Sequence, residues 1–424
     1  MRKVILRDRR QITPFNEPAR DLNVLAKPLW LFQRDLLAPY TTEEREVNSL
    51  REIPAERVET FVYRDNLYFD QKFITEFIER AQKSGKACRV AFELDDPALK
   101  AHALHLQRGI RREGGCYVAD LWYYPYGVEP VVRPLVMRTE PREVGFYHVP
   151  THMSNVYGDL VYQLPTKPFL SIEHWVHVLL ANLMFGIFAI GARFEHELDK
   201  NLLLNLQLLW RGMLERKQVL STSVMVEVGE NCDIDPTATI QGPTVIGDNV
   251  TIGAGSVVTN CIIGDNVNIS QGCELMLSVI GPGSFLPFRA ALFETVLMEN
   301  CMVAQNTCLQ MCVVGRGSFI GAGNTFTDFN LVPKPIRAHF GGRLEETGMS
   351  VLGGAVGHNV LIGSGMIIFP ARMIESDVVL FASPERRVIT KNIYYEDSDH
   401  FKLKDWKKRR PRLYPRRENR ENGY

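Results

Sequence analysis

Aliphatic residues recur at every sixth position through the second half of the chain. They run through Val228, Ile234, Ile240, Ile246, Ile252 and Val258 and, after a slip of one residue, through Ile263, Ile269 and Leu275, then Ile280, Leu286 and Leu292. The series continues through Met302, Cys308, Val314, Ile320 and Phe326 and closes with Val356, Ile362, Ile368, Ile374 and Leu380. Gly often follows the aliphatic residue, as in IGDNVT and IGAGSV. Such a period matches neither a helix nor an ordinary strand, and it suits a triangular solenoid. Each hexad supplies a short strand with its aliphatic residue inward, a small residue two places before the next hexad also fits the interior, and Gly or Asn takes the tight corner. Stacked coils then bury one continuous column. The pattern predicts a parallel β-helix over 223–392, interrupted by a projecting loop at 331–351 that holds Lys334, Arg337, His339 and Arg343.

Three details follow from that register. Cys308 falls at the inward aliphatic position and Cys312 at the small inward one, so both are expected to pack as compact hydrophobes rather than ligate a metal. His358, in GHNVLIG, takes the corner place that Asp248 and Asp265 hold in GDNV, and reads as a solvated turn residue.

Residues 1–170 follow a different rhythm. RKVIL, ETFVYRD and ACRVAFE read as short buried strands, and DQKFITEFIERAQKSG as an amphipathic helix that buries Phe73, Ile74, Phe77, Ile78 and Ala81 and closes at Gly85. Strands alternating with a helix predict an α/β domain. Between the two regions, 171–222 reads as a helical connector. Its first part, Val176–Phe194, is apolar almost all round. At 1.5 Å per residue it reaches roughly 28 Å, so a buried or subunit-packing helix, an interfacial helix and a membrane span all fit its length. His177, Asn182 and Arg193, and the lack of a second span, favour burial and leave peripheral membrane association through 176–194 as the alternative. The second part places Leu198, Leu202, Leu206, Leu209 and Met213 on one side.

Length and charge then narrow the picture. A chain of 424 residues implies two or three domains, and 45% hydrophobic with 23% charged residues excludes global disorder. Lys and Arg total 49, as do Asp and Glu, so no whole-molecule field points to nucleic acid or membrane. Charge is nonetheless uneven. From His400 to Tyr424 ten basic residues, between 402 and 420, meet three acids, making the tail +7 and the rest −7. The tail 393–424 interleaves Arg with Trp406 and Tyr414, which suits an anionic surface and equally a solubilising or subunit-bridging extension. The eight Cys follow no disulfide spacing and MRKVILRDRRQITPF has no apolar signal core, so a reducing cytoplasm is the expectation.

The stretches ATIQGPTVIGDNVTIGAGSVVTNCIIGDNVNIS and IGAGNTFTDFN resemble the left-handed β-helix of hexapeptide-repeat acyltransferases. With VILRDRRQITPFNEPARDLNVLAKPLWLFQRDLL at the start, the chain resembles the bifunctional N-acetylglucosamine-1-phosphate uridylyltransferase/glucosamine-1-phosphate acetyltransferase family. The resemblance implies an incomplete sugar nucleotidyltransferase-like α/β domain, a hexapeptide-repeat solenoid and a homotrimer. It further implies a nucleotide sugar or sugar phosphate as ligand, with Mg²⁺ and acetyl-CoA as the groups an active member would use. Ala26-Lys27-Pro28-Leu29 stands for the family's Lys-Pro-Leu run, and Arg64-Asp65 for its Gly-Asp, which places Asp65 as metal ligand.

Departures from the family's motifs bear on activity. A Gly-rich loop closes backbone N–H groups around phosphates, and here its place is held by Arg7, Asp8, Arg9, Arg10 and Gln11. Pro18-Ala19, followed by Arg20, replaces the family's Pro-Lys. Arg7, Arg9 and Arg10, with Lys27 and Asp65, are therefore the candidate sugar-nucleotide or phosphate ligands. Acyl transfer to an amine or hydroxyl needs a neutral imidazole as base. The family's coil histidine falls at Gln305 or Ala322 in this sequence, which leaves His339 in the loop as the candidate catalytic base. The expectation is a transferase-family protein with both catalytic motifs degenerate that binds a nucleotide sugar or sugar phosphate. The alternative is a non-catalytic trimeric scaffold.

Overall fold

In the computed structural model of the chain, the described residues are 1–148, 159–191, 194, 198, 201–330, 334–405 and 410–417. Arg193 of the apolar run, 331–333 of the loop, and Trp406, Lys407, Lys408, Arg409 and Arg420 of the tail lie outside them. The chain forms two compact units, and each takes a short segment from the other's stretch of sequence. The first comprises Met1–Ile12, Glu17–Ala181 and His339–Gly348, and the second Thr13–Asn16, Asn182–Ala338 and Met349–Tyr424.

The first unit is built on a seven-stranded mixed sheet. Its strands are β1 (Arg2–Leu6), β2 (Glu43–Val47), β3 (Thr60–Arg64), β4 (Cys88–Phe92), β5 (Arg111–Glu113), β6 (Cys116–Tyr124) and β7 (Arg133–Met137). The order is β7-β4-β6-β3-β1-β2, with β5 paired to β6, and β6 runs antiparallel to both β3 and β4. Helix α1 (Leu29–Leu37) follows β1 in the chain, and α2 (Gln71–Ser84) follows β3. Asp70 caps α2 by accepting the Phe73 N–H at 2.8 Å, and Gly85 ends it at φ 61°, a backbone that only glycine adopts without penalty. The expected apolar face of α2 is buried, with Phe77 edge-on to Phe61 and Phe73 stacked on Phe92.

Strand register divides the sheet into two unlike faces. Ile5 pairs with Tyr63 and Val4 with Val62, so Ile5, Phe61 and Tyr63 share the face on which α2 packs. Val4, Leu6, Val62, Trp122 and Tyr124 point the other way. They join Val47, Ile53 and Ala87 in a small cluster that contains no α-helical residue.

Of the readings open for the apolar run, the structure takes burial. Trp175, Val176, Val178, Leu179, Leu180 and Ala181 are buried in α3 (Trp175–Asn182). No helix among the described residues is long and apolar enough to cross a membrane. The hairpin Arg337–Phe340/Arg343–Glu346 carries the interrupting loop. Its residues His339–Gly348 belong to the first unit, where Arg108 stacks on Phe340 at 5.5 Å.

The second unit is the expected left-handed parallel β-helix, with three eight-stranded parallel sheets as its walls. Ile246, Ile263, Ile280, Leu297 and Val314 stack on one wall, and the coil repeat is 17 residues. The sequence slip is thus one corner made a residue shorter, repeated in coil after coil. Asn249, Asn266, Gly283, Asn300 and Gly317 occupy another corner with φ between 56° and 71°. Small inward residues form ladders of their own. Ser278 Oγ donates to Met276 O at 2.9 Å and accepts from Thr295 N at 3.1 Å, which satisfies buried backbone at the turn.

The structure corrects two expectations for this unit. Val303 and Leu309 point inward where Met302 and Cys308 were expected, and Cys308 is half-buried. Where two apolar residues adjoin, a six-residue count cannot choose between them, and the 17-residue coil does. His358 is fully buried rather than solvated. Its Nδ1 accepts the Arg316 N–H at 2.9 Å, and its ring lies between Phe15 and Tyr414 at 5.2 and 4.7 Å.

The second unit is also sealed by its tail. Glu375, wholly buried, accepts from Asn16 Nδ2 at 2.8 Å and Tyr395 N at 2.9 Å, and pairs with Arg412 at 2.9 Å and Arg416 at 2.8 Å. Asp377 accepts the Leu413 and Tyr414 N–H groups at 2.8 and 2.7 Å, and Arg410 donates to Asn359 O. The anionic surface expected for these basic residues is thus supplied, in part, by the chain itself. Helix α4 (Leu202–Glu215) forms where the amphipathic pattern lies, with its apolar side largely uncovered. Leu208 is buried, while Leu202, Leu206, Leu209, Trp210 and Met213 are all more than half exposed.

Candidate functional site

Of the residues singled out in the sequence, Arg7 and Asp65 meet at the C-terminal ends of β1 and β3, with Arg9 and Arg10 on the turn that follows β1. Asp65 N donates to Leu6 O at 3.0 Å, and Gln33 on α1 holds the following turn by donating to Asp65 O and Leu67 O at 3.2 and 2.6 Å. The Asp65 side chain is 1% exposed. One of its oxygens accepts the Asp8 N–H at 2.7 Å. The other faces Arg7 Nε at 3.0 Å and accepts from Arg20 at 3.4 Å. Burial pushes the Asp65 carboxyl up to about 6 against the pull of the Asp8 N–H and of Arg20 and Arg7.

The arginine run is paired internally. Arg7 binds Glu46 at 2.5 Å and Arg20 binds the same carboxylate at 3.1 Å. Arg9 donates to Asn48 at 2.8 Å. Arg10 spans Asp8 and Glu173, the latter at 2.7 Å. Burial pushes the Asp8 carboxyl up, but the hydrogen bonds and charge of Arg10 outweigh it and hold the group below its ordinary value. Glu173 in turn accepts the Gly109 N–H at 2.6 Å. Lys27 lies apart from this group, exposed and paired with Asp35 at 3.4 Å.

The donor set does not fit Mg²⁺ at Asp65. Both carboxylate oxygens face N–H donors, and no group of three His, Cys, Asp or Glu among the described residues could hold a metal ion. On the β-helix, His358 is the one histidine in the described coils and is enclosed as described above. His339 is exposed on the hairpin, and its ring has no hydrogen-bond partner among the described residues to orient it as a base. Arg20 escaped selection in the sequence because nothing local marks a residue that reaches Asp65 from 45 positions away.

The family described as "Bacterial transferase hexapeptide (six repeats)" matches residues 225–260 and 243–276, inside the column of stacked aliphatic residues. Residues 225–276 thus carry hexapeptide-transferase repeats. Among solved structures, the acetyltransferase domain of PglB from Neisseria gonorrhoeae is 18% identical over 38% of this chain and 57% of that one, with a TM-score of 0.15. The match thus spans little more than half of that protein. The polysialic acid O-acetyltransferase OatWY is 16% identical over 40% and 80%, with a TM-score of 0.21. A hexapeptide transferase family protein from Anaplasma phagocytophilum is 16% identical over 38% and 81%, with a TM-score of 0.20. No match was found among curated proteins.

Proposed function

We propose that this chain is a hexapeptide-transferase relative that binds a nucleotide sugar or sugar phosphate through its α/β unit and turns over neither family reaction. The supporting observation is the capped Asp65. A carboxylate that accepts from Asp8 N–H and Arg20 and faces Arg7 is already balanced by the chain's own cations, which disfavours a divalent metal beside it. Nucleotidyl transfer needs a cation to offset charge developing on phosphate. What remains at the rim is binding capacity, because Arg9 is exposed with Asn48 as its one hydrogen-bond partner among the described residues and Arg10 is half exposed.

Titration calorimetry with UDP-N-acetylglucosamine should give weak, saturable heat, and Arg9→Ala should weaken it about fivefold, the effect of one charge-assisted hydrogen bond. UTP-dependent pyrophosphate release should be undetectable. Robust release abolished by Asp65→Ala would refute the reading, and acetyl-CoA turnover lost in His339→Ala would move the activity to the hairpin. A second reading, a homotrimeric scaffold, is favoured by the exposed leucines of α4. It stands if no nucleotide sugar binds and the protein sediments as a trimer.

A further inference from the structure

The sheet face without a helix carries a second feature, separate from the Asp65 cluster. Over it lies a cavity of about 870 Å³, bounded by Arg64, Arg89, Arg111, Asp120, Trp122 and Tyr124. Asp120 is 4% exposed and is surrounded by guanidinium groups. Arg64 and Arg89 each reach it at 2.7 Å, and Arg111 at 3.3 Å. Arg89 is fixed further by donating to Ala119 O at 2.8 Å and by stacking on Trp122 at 5.1 Å. Arg89 and Arg111 also meet Glu113 at 3.2 and 3.8 Å, but that carboxylate is about half exposed. Arg51, Arg64, Arg89 and Arg111 line the cavity against Asp120, Glu113 and Glu129, so its wall keeps one positive charge in excess. Arginine forks in such a setting accept a second planar or tetrahedral oxyanion. Apolar side chains, Val118, Val128, Val132 and Pro134, complete the lining beside the arginines. Burial raises the Tyr124 hydroxyl to about 12, so it stays a neutral donor at physiological pH.

We infer that this cavity is a binding site for a small organic oxyanion, a carboxylate or phosphomonoester, whose charged end meets Arg64 and Arg111 and whose flat apolar body lies along Trp122 and the valine wall. The site does not depend on the nucleotide-sugar reading: Leu6 and Asn48 border both, but the arginines that would hold its ligand, Arg64 and Arg111, are not those of the Asp65 cluster. Charge selects the head of the ligand, and the aromatic and aliphatic wall selects a body over a bare ion.

The test uses the full chain with benzoate, phenyl phosphate and inorganic phosphate, followed by calorimetry and by perturbation of the indole resonances. Benzoate or phenyl phosphate should bind at least about tenfold more tightly than inorganic phosphate, since only they bury apolar surface. Arg111→Gln, at a half-exposed position, should weaken binding about tenfold with little change in melting temperature, and Arg64→Gln should weaken it likewise while lowering the melting temperature, since it leaves buried Asp120 one partner short. Arg9→Ala should leave it intact. Three results would overturn the inference: no binding of either aromatic probe up to millimolar concentration, equal affinity for inorganic phosphate, or binding lost in Arg9→Ala but kept in Arg111→Gln. The last would assign the anion to the end of β1 instead.

Discussion

Asp65 shows how far burial can outweigh two ionic partners. Its folded pKa of about 6 lies above the unfolded value. The folded protein therefore binds more protons than the unfolded chain between about pH 4 and 6, and this group's contribution to stability is lost as pH rises through that window. His102 and His177 act in the opposite sense. Burial lowers each to about 4, so their contribution is present above the unfolded value and lost as pH falls. The diagnostic quantity is therefore the difference between the wild-type protein and Asp65→Asn, taken from urea denaturation. We expect the wild type to lose up to about 3 kcal/mol relative to the variant between pH 4 and 6.5, the value of two pKa units. A difference independent of pH would show that Asp65 titrates normally. The sequence named Asp65 and the arginines at β1, but it could not show that they neutralise one another. Nor did it mark the group around Asp120, whose members come from four different strands, β3, β4, β5 and β6.

Among the elements, the β-helix was the most legible, because its repeat appears in the chain as spacing alone. The error at Met302 and Cys308 arose where adjacent apolar residues gave two equally good registers. That register is directly testable. Leu309→Ala should cost about 2–5 kcal/mol and Cys308→Ala less than about 1 kcal/mol in thermal or chemical unfolding, since only the former opens a cavity in the column. Helix α4 shows a different limit of the sequence. Its pattern correctly announces an apolar face, but periodicity says nothing about what covers that face. Within one chain only Leu208 is buried. If the leucines meet further copies of the chain, Leu206→Glu combined with Leu209→Glu should convert a sedimenting oligomer to monomer while leaving the β-helix circular dichroism intact. An unchanged sedimentation coefficient would remove α4 from the interface.

For the whole molecule, the stability of the second unit is divided between contacts near in sequence and one set that is very far apart. Coil-to-coil bonds join residues 17 positions apart, so they add almost coil by coil. The seal on Glu375 and Asp377 is the exception, joining Asn16 Nδ2 to Tyr414 O across 398 positions. Removing one side of a buried ion pair costs about 3–5 kcal/mol. A chain ended after Asp405 should therefore melt well below the full chain, and Arg412→Ala with Arg416→Ala should reproduce most of the loss. Glu375→Gln in the truncated background should recover part of it, because the uncompensated charge is gone. No recovery would mean that the tail acts by covering apolar surface instead.

The same seal sets a schedule for the chain as it is made. Residues 13–16 leave the ribosome well before the coils, while Arg410, Arg412 and Arg416 emerge after every coil they lock. At roughly 5–20 residues per second, the carboxylate of Glu375 waits some seconds for its cations. During that interval the newest coils can hold their aliphatic column but not bury their charge. A nascent chain should thus stay protease-sensitive around residues 358–380 until the tail is released, and become resistant in one late step.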